Sequence, residues 1–194
     1  MNTRNLLRNK IATSNLSKRR KGFKKLKYFI LDIFEITLSE KECEIYFAKH
    51  FLQMNLAKRK FYLENEKKYI NFFYALFENS KKAVMKHSFS KRNVKGLLLY
   101  DKSKYAMLSQ MLSHKWYDKI CVNEANLELF VNFSFRQSHT VPLSFKIYFL
   151  DLGIYIYSLG DYGYLAICKD YNIKKLQNIA KRCGLFLRIE LKRN

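Results

Sequence analysis

Apolar and polar residues alternate one for one along parts of the second half of this 194-residue chain. The alternation begins at residues 127–136 and returns at 143–149 after a polar loop. A two-residue period is typical of a strand with one face against a core and the other toward solvent. Turns containing Asp and Gly then lead into two further apolar segments, 154–159 and 164–168. Because short turns join antiparallel strands, the pattern predicts a four-stranded antiparallel meander.

A helix and a last strand follow the predicted meander. Asn172 is of a residue type that caps helices, and Gly184 fits the left-handed position that ends them. Between the two, apolar residues recur at helical spacing in one stripe, which consists of Ile173, Leu176, Ile179, Ala180 and Cys183. Residues 185–191 alternate again and predict a final strand.

The first half of the chain carries helix signals instead. Ser39 and Glu42 form a capping box, the side-chain pair that satisfies the free N–H groups at a helix start. The apolar stripe that follows consists of Cys43, Tyr46, Phe47, His50, Phe51 and Met54. A second helix is predicted from about Glu64, with Tyr69, Phe72, Phe73, Leu76 and Phe77 on its apolar face.

Three other segments complete the first half. Ser103 is suited to cap a third helix that continues to about Ser113. Residues 24–38 are apolar and rich in β-branched and aromatic side chains, but their period fits a strand or a helix. Residues 80–95 are basic and poor in apolar residues, which indicates a loop or a short exposed helix.

These patterns together predict an α+β fold. Its helical N-terminal half precedes a C-terminal antiparallel β-meander, one packed helix and a final strand. We expect a basic flexible arm over residues 1–22 and a single domain over 23–194. Within that domain the helical part covers about 23–115 and the sheet part about 120–194.

Positive charge dominates the start of the chain. Residues 1–30 contain ten Lys or Arg and no Asp or Glu. A segment charged in this way repels itself and does not collapse into a core, so it needs an anionic partner. In a cell that partner is usually nucleic acid. The arm residues predicted to bind it are Arg4, Arg8, Lys10, Lys18, Arg19, Arg20, Lys21, Lys24 and Lys25.

Two further blocks carry most of the remaining positive charge, out of a net charge of +21. Residues 81–104 hold eight basic side chains against one Asp, and residues 169–194 hold eight against one Asp and one Glu. On the predicted helix after the meander, the apolar stripe faces the sheet, so the cations fall on the solvent side. The binding residues predicted from these blocks are Lys81, Lys82, Lys91, Arg92, Lys174, Lys175, Lys181 and Arg182.

The sequence therefore predicts a non-enzymatic nucleic-acid-binding protein that contacts the phosphate backbone. A long basic arm suits insertion into folded RNA, which favours RNA over DNA and a place within a ribonucleoprotein. The alternative is a phage- or plasmid-borne inhibitor that binds a nucleic-acid-handling protein complex. The inhibitor would contact its partner through the sheet. Tyrosines on the sheet could also stack bases, but the neutral charge around them favours packing or a protein contact. Those tyrosines are Tyr155, Tyr157, Tyr162 and Tyr164.

A second alternative is a Mg²⁺-dependent nuclease. Glu190 and Lys192 have the E-x-K spacing that such enzymes use beside a phosphodiester. The partner carboxylate would be Asp151, Asp161 or Asp170, but a predicted helix separates these residues from the E-x-K strand, which is the wrong order for that architecture. We therefore assign no catalytic residue.

No cofactor or metal is predicted. The four histidines, His50, His87, His114 and His139, lie in four different segments without the spacing of a zinc site. The four cysteines contain no CxxC pair, which indicates reduced thiols and a cytoplasmic location, an organellar transit peptide being the alternative. The longest run without a charged residue is ten residues, 105–114, so no membrane span is predicted.

Overall fold

The computed structural model describes residues 26–47, 54–80, 82–87, 102–113, 119–135, 145–158 and 163–189. These residues form an α+β fold, which confirms the predicted class. In chain order the described elements are β1 (Leu26–Asp32), α1 (Glu40–Phe47), α2 (Leu56–Ser80), β2 (Ala83–His87), α3 (Lys102–Ser113), β3 (Lys119–Cys121), α4 (Glu124–Phe135), β4 (Phe145–Phe149), β5 (Ile154–Ser158), β6 (Tyr164–Lys169), α5 (Asp170–Arg182) and β7 (Phe186–Ile189).

The strands form one sheet in the order β3-β2-β4-β5-β6-β1-β7, with antiparallel neighbours throughout. β4 pairs with β5 and β5 pairs with β6, so these three strands form part of the predicted meander. The β4–β5 turn contains Gly153 at φ 63°, a left-handed conformation that glycine adopts without strain. β1 lies between β6 and β7, so that Phe29 is opposite both Ala166 and Ile189. The sheet therefore combines strands from both halves of the chain.

The core lies between one face of this sheet and the helices α2, α4 and α5. Phe73 of α2 is fully buried at its centre. Its ring centroid lies 5.1 Å from that of Tyr164, 6.2 Å from that of Phe145 and 6.4 Å from that of Phe149. Aromatic contacts of this kind add to the free energy gained from burial. Phe73 thus joins the longest helix to two strands of the sheet, β4 and β6.

Residues 127–136 do not form the strand predicted from their alternation, because Glu124–Phe135 is helix α4. Its start is fixed by two reciprocal bonds: Asn123 N–H donates to Asn126 Oδ1 at 2.8 Å, and Asn126 N–H donates to Asn123 Oδ1 at 2.9 Å. The helix is buried on nearly every side, so its apolar residues show no single stripe. The buried residues of α4 are Asn126, Leu127, Leu129, Phe130, Val131, Asn132 and Ser134.

The basic segment 80–95 contains a strand, where a loop or an exposed helix was expected. β2 pairs with both β3 and β4, and its side chains Ala83, Val84 and Met85 are buried. Three consecutive apolar residues are enough for a strand that has partners on both sides. The surrounding lysines hid this short run in the sequence.

The starts of three helices also differ from the prediction. α3 begins at Lys102, so Ser103 lies within the helix and is not its cap. α2 begins at Leu56, eight residues before Glu64, because Asn55 caps it: Lys58 N–H donates to Asn55 Oδ1 at 2.9 Å. α5 begins at Asp170, and Asn172 is not its N-cap. The Asn172 side chain is buried instead, and its amide donates to the carbonyl of Leu152 in the β4–β5 turn.

Other local predictions are confirmed. Ser39 N–H donates to Glu42 Oε2 at 2.7 Å, as the capping box requires, and the hydrogen bonds from Ser39 lower the pKa of Glu42. Within the segment 24–38, for which strand and helix were both open, Leu26–Asp32 forms the strand β1. Gly184 ends α5 at φ 71°, where Leu185 N–H donates to Ala180 carbonyl at 2.9 Å.

Because the phenol of Tyr164 is buried, the stability of the fold should vary with pH in the alkaline range. The phenol oxygen lies 2.7 Å from Ser134 Oγ, and burial raises the pKa of the phenol above the ordinary value. Above about pH 10 the unfolded chain releases this proton while the folded chain keeps it, so stability falls as pH rises. The slope from one such group approaches about 1.4 kcal/mol per pH unit.

We expect Tyr164→Phe to be less stable than the wild type by about 1 kcal/mol at pH 7, because one hydrogen bond is lost. Ser134 Oγ keeps its bond to Val131 carbonyl at 3.0 Å. Above pH 10 the variant lacks the alkaline penalty, which reaches about 2 kcal/mol by pH 11.5, so the difference in stability should shrink and then reverse. Urea titrations between pH 7 and pH 11.5 measure this, and a constant difference over that range would contradict it.

Candidate nucleic-acid interface

Helix α5 separates its apolar and basic side chains onto opposite sides. Leu176, Ile179 and Ala180 are buried against the core. At about 100° per residue, the polar stripe covers an arc of about 120° on the other side. The exposed residues of this stripe are Tyr171, Lys174, Lys175, Asn178, Lys181 and Arg182. Four cations therefore lie along three turns of one solvent-facing surface.

This stripe lines an open groove of about 940 Å³. Asn79, near the end of α2, closes it on one side, and the buried edge of Ile179 forms part of its floor. Tyr171 is 72% exposed at one end of the helix, and the Nζ atom of Lys169 lies 5.9 Å from its ring centroid. We refer to this surface as the α5 groove.

At the N-terminal end of α5, hydrogen bonds join the α2–β2 connection, the β4–β5 turn and α5 itself. Ser80 Oγ, at the end of α2, donates to Lys82 carbonyl at 2.9 Å and accepts from Asp151 N–H at 3.4 Å. The amide of Asn172 joins the same β4–β5 turn to α5. These bonds fix α5 beside the end of α2, so the cations project from a rigid element.

At the other end, Gly184 lets the chain turn tightly against α2. A Cβ atom placed there would lie 3.5 Å from the side chain of Lys68, and the left-handed backbone already disfavours other residues. Lys181 and Arg182 occupy the last turn of α5, where they also offset the negative end of the helix dipole. These two cations thus stabilise the helix as well as charging the groove.

The cations of the α5 groove keep their charge available for a ligand. Within the described ranges, none of the four forms an ion pair with a carboxylate. Phosphate oxygens are strong acceptors for Lys and Arg, and the amides of Asn79 and Asn178 add neutral donors. The arrangement suits an extended anion that runs along the helix.

The structure places five of the predicted binding residues. Lys174, Lys175, Lys181 and Arg182 come together in the α5 groove, and Lys82 is exposed at the start of β2. The other predicted residues lie outside the described part of the chain: Arg4, Arg8, Lys10, Lys18, Arg19, Arg20, Lys21, Lys24, Lys25, Lys81, Lys91 and Arg92. The sequence prediction missed Tyr171 and Asn178, although both lie at helical spacing from the lysines.

The residues considered for catalysis do not form a site in the described ranges. Asp151 lies in the β4–β5 turn and Asp170 starts α5, while Asp161, Glu190 and Lys192 lie outside those ranges. No group of three metal-ligating side chains occurs among the residues that the structure describes. Burial and the nearby Asp170 raise the pKa of Cys168 to about 11, so this thiol is neutral at pH 7.

No helix in the described ranges is long and apolar enough to cross a bilayer. The chain matches no protein-family model, no curated protein and no solved structure, so its function has to be inferred from its own residues.

Proposed function

We propose that this protein binds the phosphate backbone of nucleic acid without catalysing a reaction on it. The observation that carries the proposal is the α5 groove, where four exposed cations line one surface of about three helical turns. Each phosphate neutralised by Lys or Arg releases counterions, which favours binding regardless of sequence. The basic segment 1–30 adds ten further cations to the same chain.

The proposed partner is RNA rather than DNA, within a ribonucleoprotein in the cytoplasm. A basic segment can neutralise the phosphates of a folded RNA, and arginine-rich segments become ordered when they bind RNA. The amide and phenol groups of Asn178 and Tyr171, which lie among the cations, suit the ribose hydroxyls that distinguish RNA.

Charge reversal on α5 tests the proposal. Lys174→Glu with Lys181→Glu turns two phosphate contacts into repulsions and leaves the buried stripe of the helix intact. We expect affinity for a structured RNA to fall at least tenfold at moderate salt, or about 1.4 kcal/mol. The slope of log K against log salt should also become less negative by up to about 2. A fluorescence-anisotropy titration at several salt concentrations measures both quantities.

The matched control is Lys41→Glu with Lys60→Glu, which changes the net charge equally on exposed helix positions. Lys60 lies about 28 Å along α2 from Asn79 of the groove, by helix geometry. The control should retain most of the affinity. Equal losses in both double variants would mean that total charge, and not the α5 groove, determines binding.

A further inference from the structure

The face of the sheet opposite the core carries a row of tyrosines. Strand register places Tyr148 opposite Tyr155, Tyr155 opposite Ile167, and Ile167 opposite Tyr28. Tyr148, Tyr155 and Ile167 each lie between two buried residues, and Tyr28 precedes the buried Phe29, so these side chains point away from the core. Tyr28 is 39% exposed and Tyr148 is 41% exposed, while Tyr155 and Ile167 are half-buried. We call these residues, with Tyr157 in the adjacent row, the open sheet face.

Two of these rings already show the geometry of a stacking surface. The centroids of Tyr148 and Tyr155 are 4.6 Å apart, with 31° between the ring planes. Burial, reinforced by Tyr148, raises the pKa of Tyr155, so its phenol stays neutral well above pH 7. A neutral aromatic surface neither repels a phosphate chain nor excludes another flat ring.

Cations accompany the tyrosines in the next row of the same face. Lys146 lies opposite both Lys86 and Tyr157, and its Nζ atom is 5.1 Å from the Tyr157 ring centroid. Lys146 therefore places a positive charge beside the aromatic rings of the open sheet face, which complements an anion.

A single-stranded nucleic acid has both properties that this face matches, flat rings and regular negative charge. A duplex stacks its bases internally and offers the face no free ring. A protein partner would have to bury Lys146 in the interface, and Lys is depleted from interfaces because its desolvation is costly. The combination of aromatic rings with this lysine thus favours single strands over duplexes and over proteins.

We propose that the open sheet face binds unpaired bases of a single-stranded segment of nucleic acid. Bases stack on Tyr148, Tyr155 and Tyr157 while a phosphate contacts Lys146. This inference rests on the proposed function and makes it more specific: the α5 groove contacts backbone, and the open sheet face selects strands whose bases are free.

The test compares two fluorescein-labelled twelve-nucleotide RNAs, oligouridine and an abasic strand of the same length. The variant is Tyr155→Leu with Tyr157→Leu, and the control is Tyr155→Phe with Tyr157→Phe, which keeps the rings. Loss of stacking is expected to weaken oligouridine binding at least tenfold, because two aromatic rings that stack on bases are removed. Affinity for the abasic strand and the salt slope should stay unchanged, and the Phe control should bind oligouridine like the wild type.

Failure of this inference and failure of the proposed function give different results. Base stacking would be overturned if the wild type bound the two strands with equal affinity. It would also be overturned if the Leu variant lost affinity equally for both strands. Backbone binding would remain in place in either case. An unchanged Leu variant would also overturn base stacking and would favour a protein contact on this face. If the wild-type protein bound neither strand and also failed to bind structured RNA, the proposed function itself would be overturned.

Photocrosslinking of the wild type keeps the test independent of variant folding. An oligonucleotide containing 5-iodouracil should crosslink to the peptide that carries Tyr148, Tyr155 and Tyr157, as identified by mass spectrometry. Crosslinks confined to other peptides would overturn the proposal.

Discussion

Deletion of residues 1–21 is expected to make the slope of log K against log salt less negative by up to about 6 on duplex DNA and about 5 on single strands. The segment contains seven cations, which are Arg4, Arg8, Lys10, Lys18, Arg19, Arg20 and Lys21. Contacts of this kind carry no sequence information, so binding to many sequences should weaken alike. Titrations between 50 and 200 mM salt, with the full chain and the truncated chain, measure the change.

A chain in which residues 1–21 are shuffled provides the matched control, because it keeps the seven charges and loses their order. We expect the shuffled protein to retain nearly the full salt slope. A truncated protein with an unchanged slope would show that this segment does not contact phosphates.

The second large effect is expected in the core, where Phe73→Ala should lower the free energy of unfolding by about 3–5 kcal/mol. Phe73 is fully buried and contacts Tyr164, Phe145 and Phe149, so its removal leaves a cavity between α2 and the sheet. Domains of this size are stable by about 5–15 kcal/mol, so the loss takes a large share of the total. Urea unfolding followed by circular dichroism measures it.

Phe61→Ala is the matched control, since it makes the same change on the exposed side of the same helix. Phe61 is 36% exposed and contacts Tyr46 at a centroid distance of 5.5 Å. We expect a cost of about 1 kcal/mol or less. Similar losses in the two variants would mean that Phe73 is not at the centre of the core.

Patterns with one dominant period were predictable from the sequence. Helix α5 has a narrow buried stripe and a polar arc, so its position was recognised to within a few residues. Helix α4 was mistaken for a strand because it is buried almost all round. Leu127, Leu129 and Val131 then alternate by coincidence, while Phe130, which breaks the alternation, is equally buried.

The two candidate surfaces also differ in whether their residues form a pattern within one segment of the sequence. The cations of α5 share one helix, so helical spacing alone predicted that they face solvent. The tyrosines lie on four strands, with Tyr155 and Tyr157 together on β5, and which of them become neighbours depends on the register between strands. Ser158 is opposite Tyr164, which places Tyr164 in the core, whereas Tyr155 and Tyr157 point outward. No spacing within one segment contains that information.

The position of β1 has a consequence for how the chain is made. β1 is the first described strand to leave the ribosome, but both of its neighbours, β6 and β7, are among the last. At about 5–20 residues per second, β6 emerges roughly 7–28 s after β1. During that time Phe29 and Leu31, which end up buried, lack the strands that enclose them. Pairing over such a separation is slow, so a ribosome that stops before residue 164 releases a chain whose sheet cannot be completed.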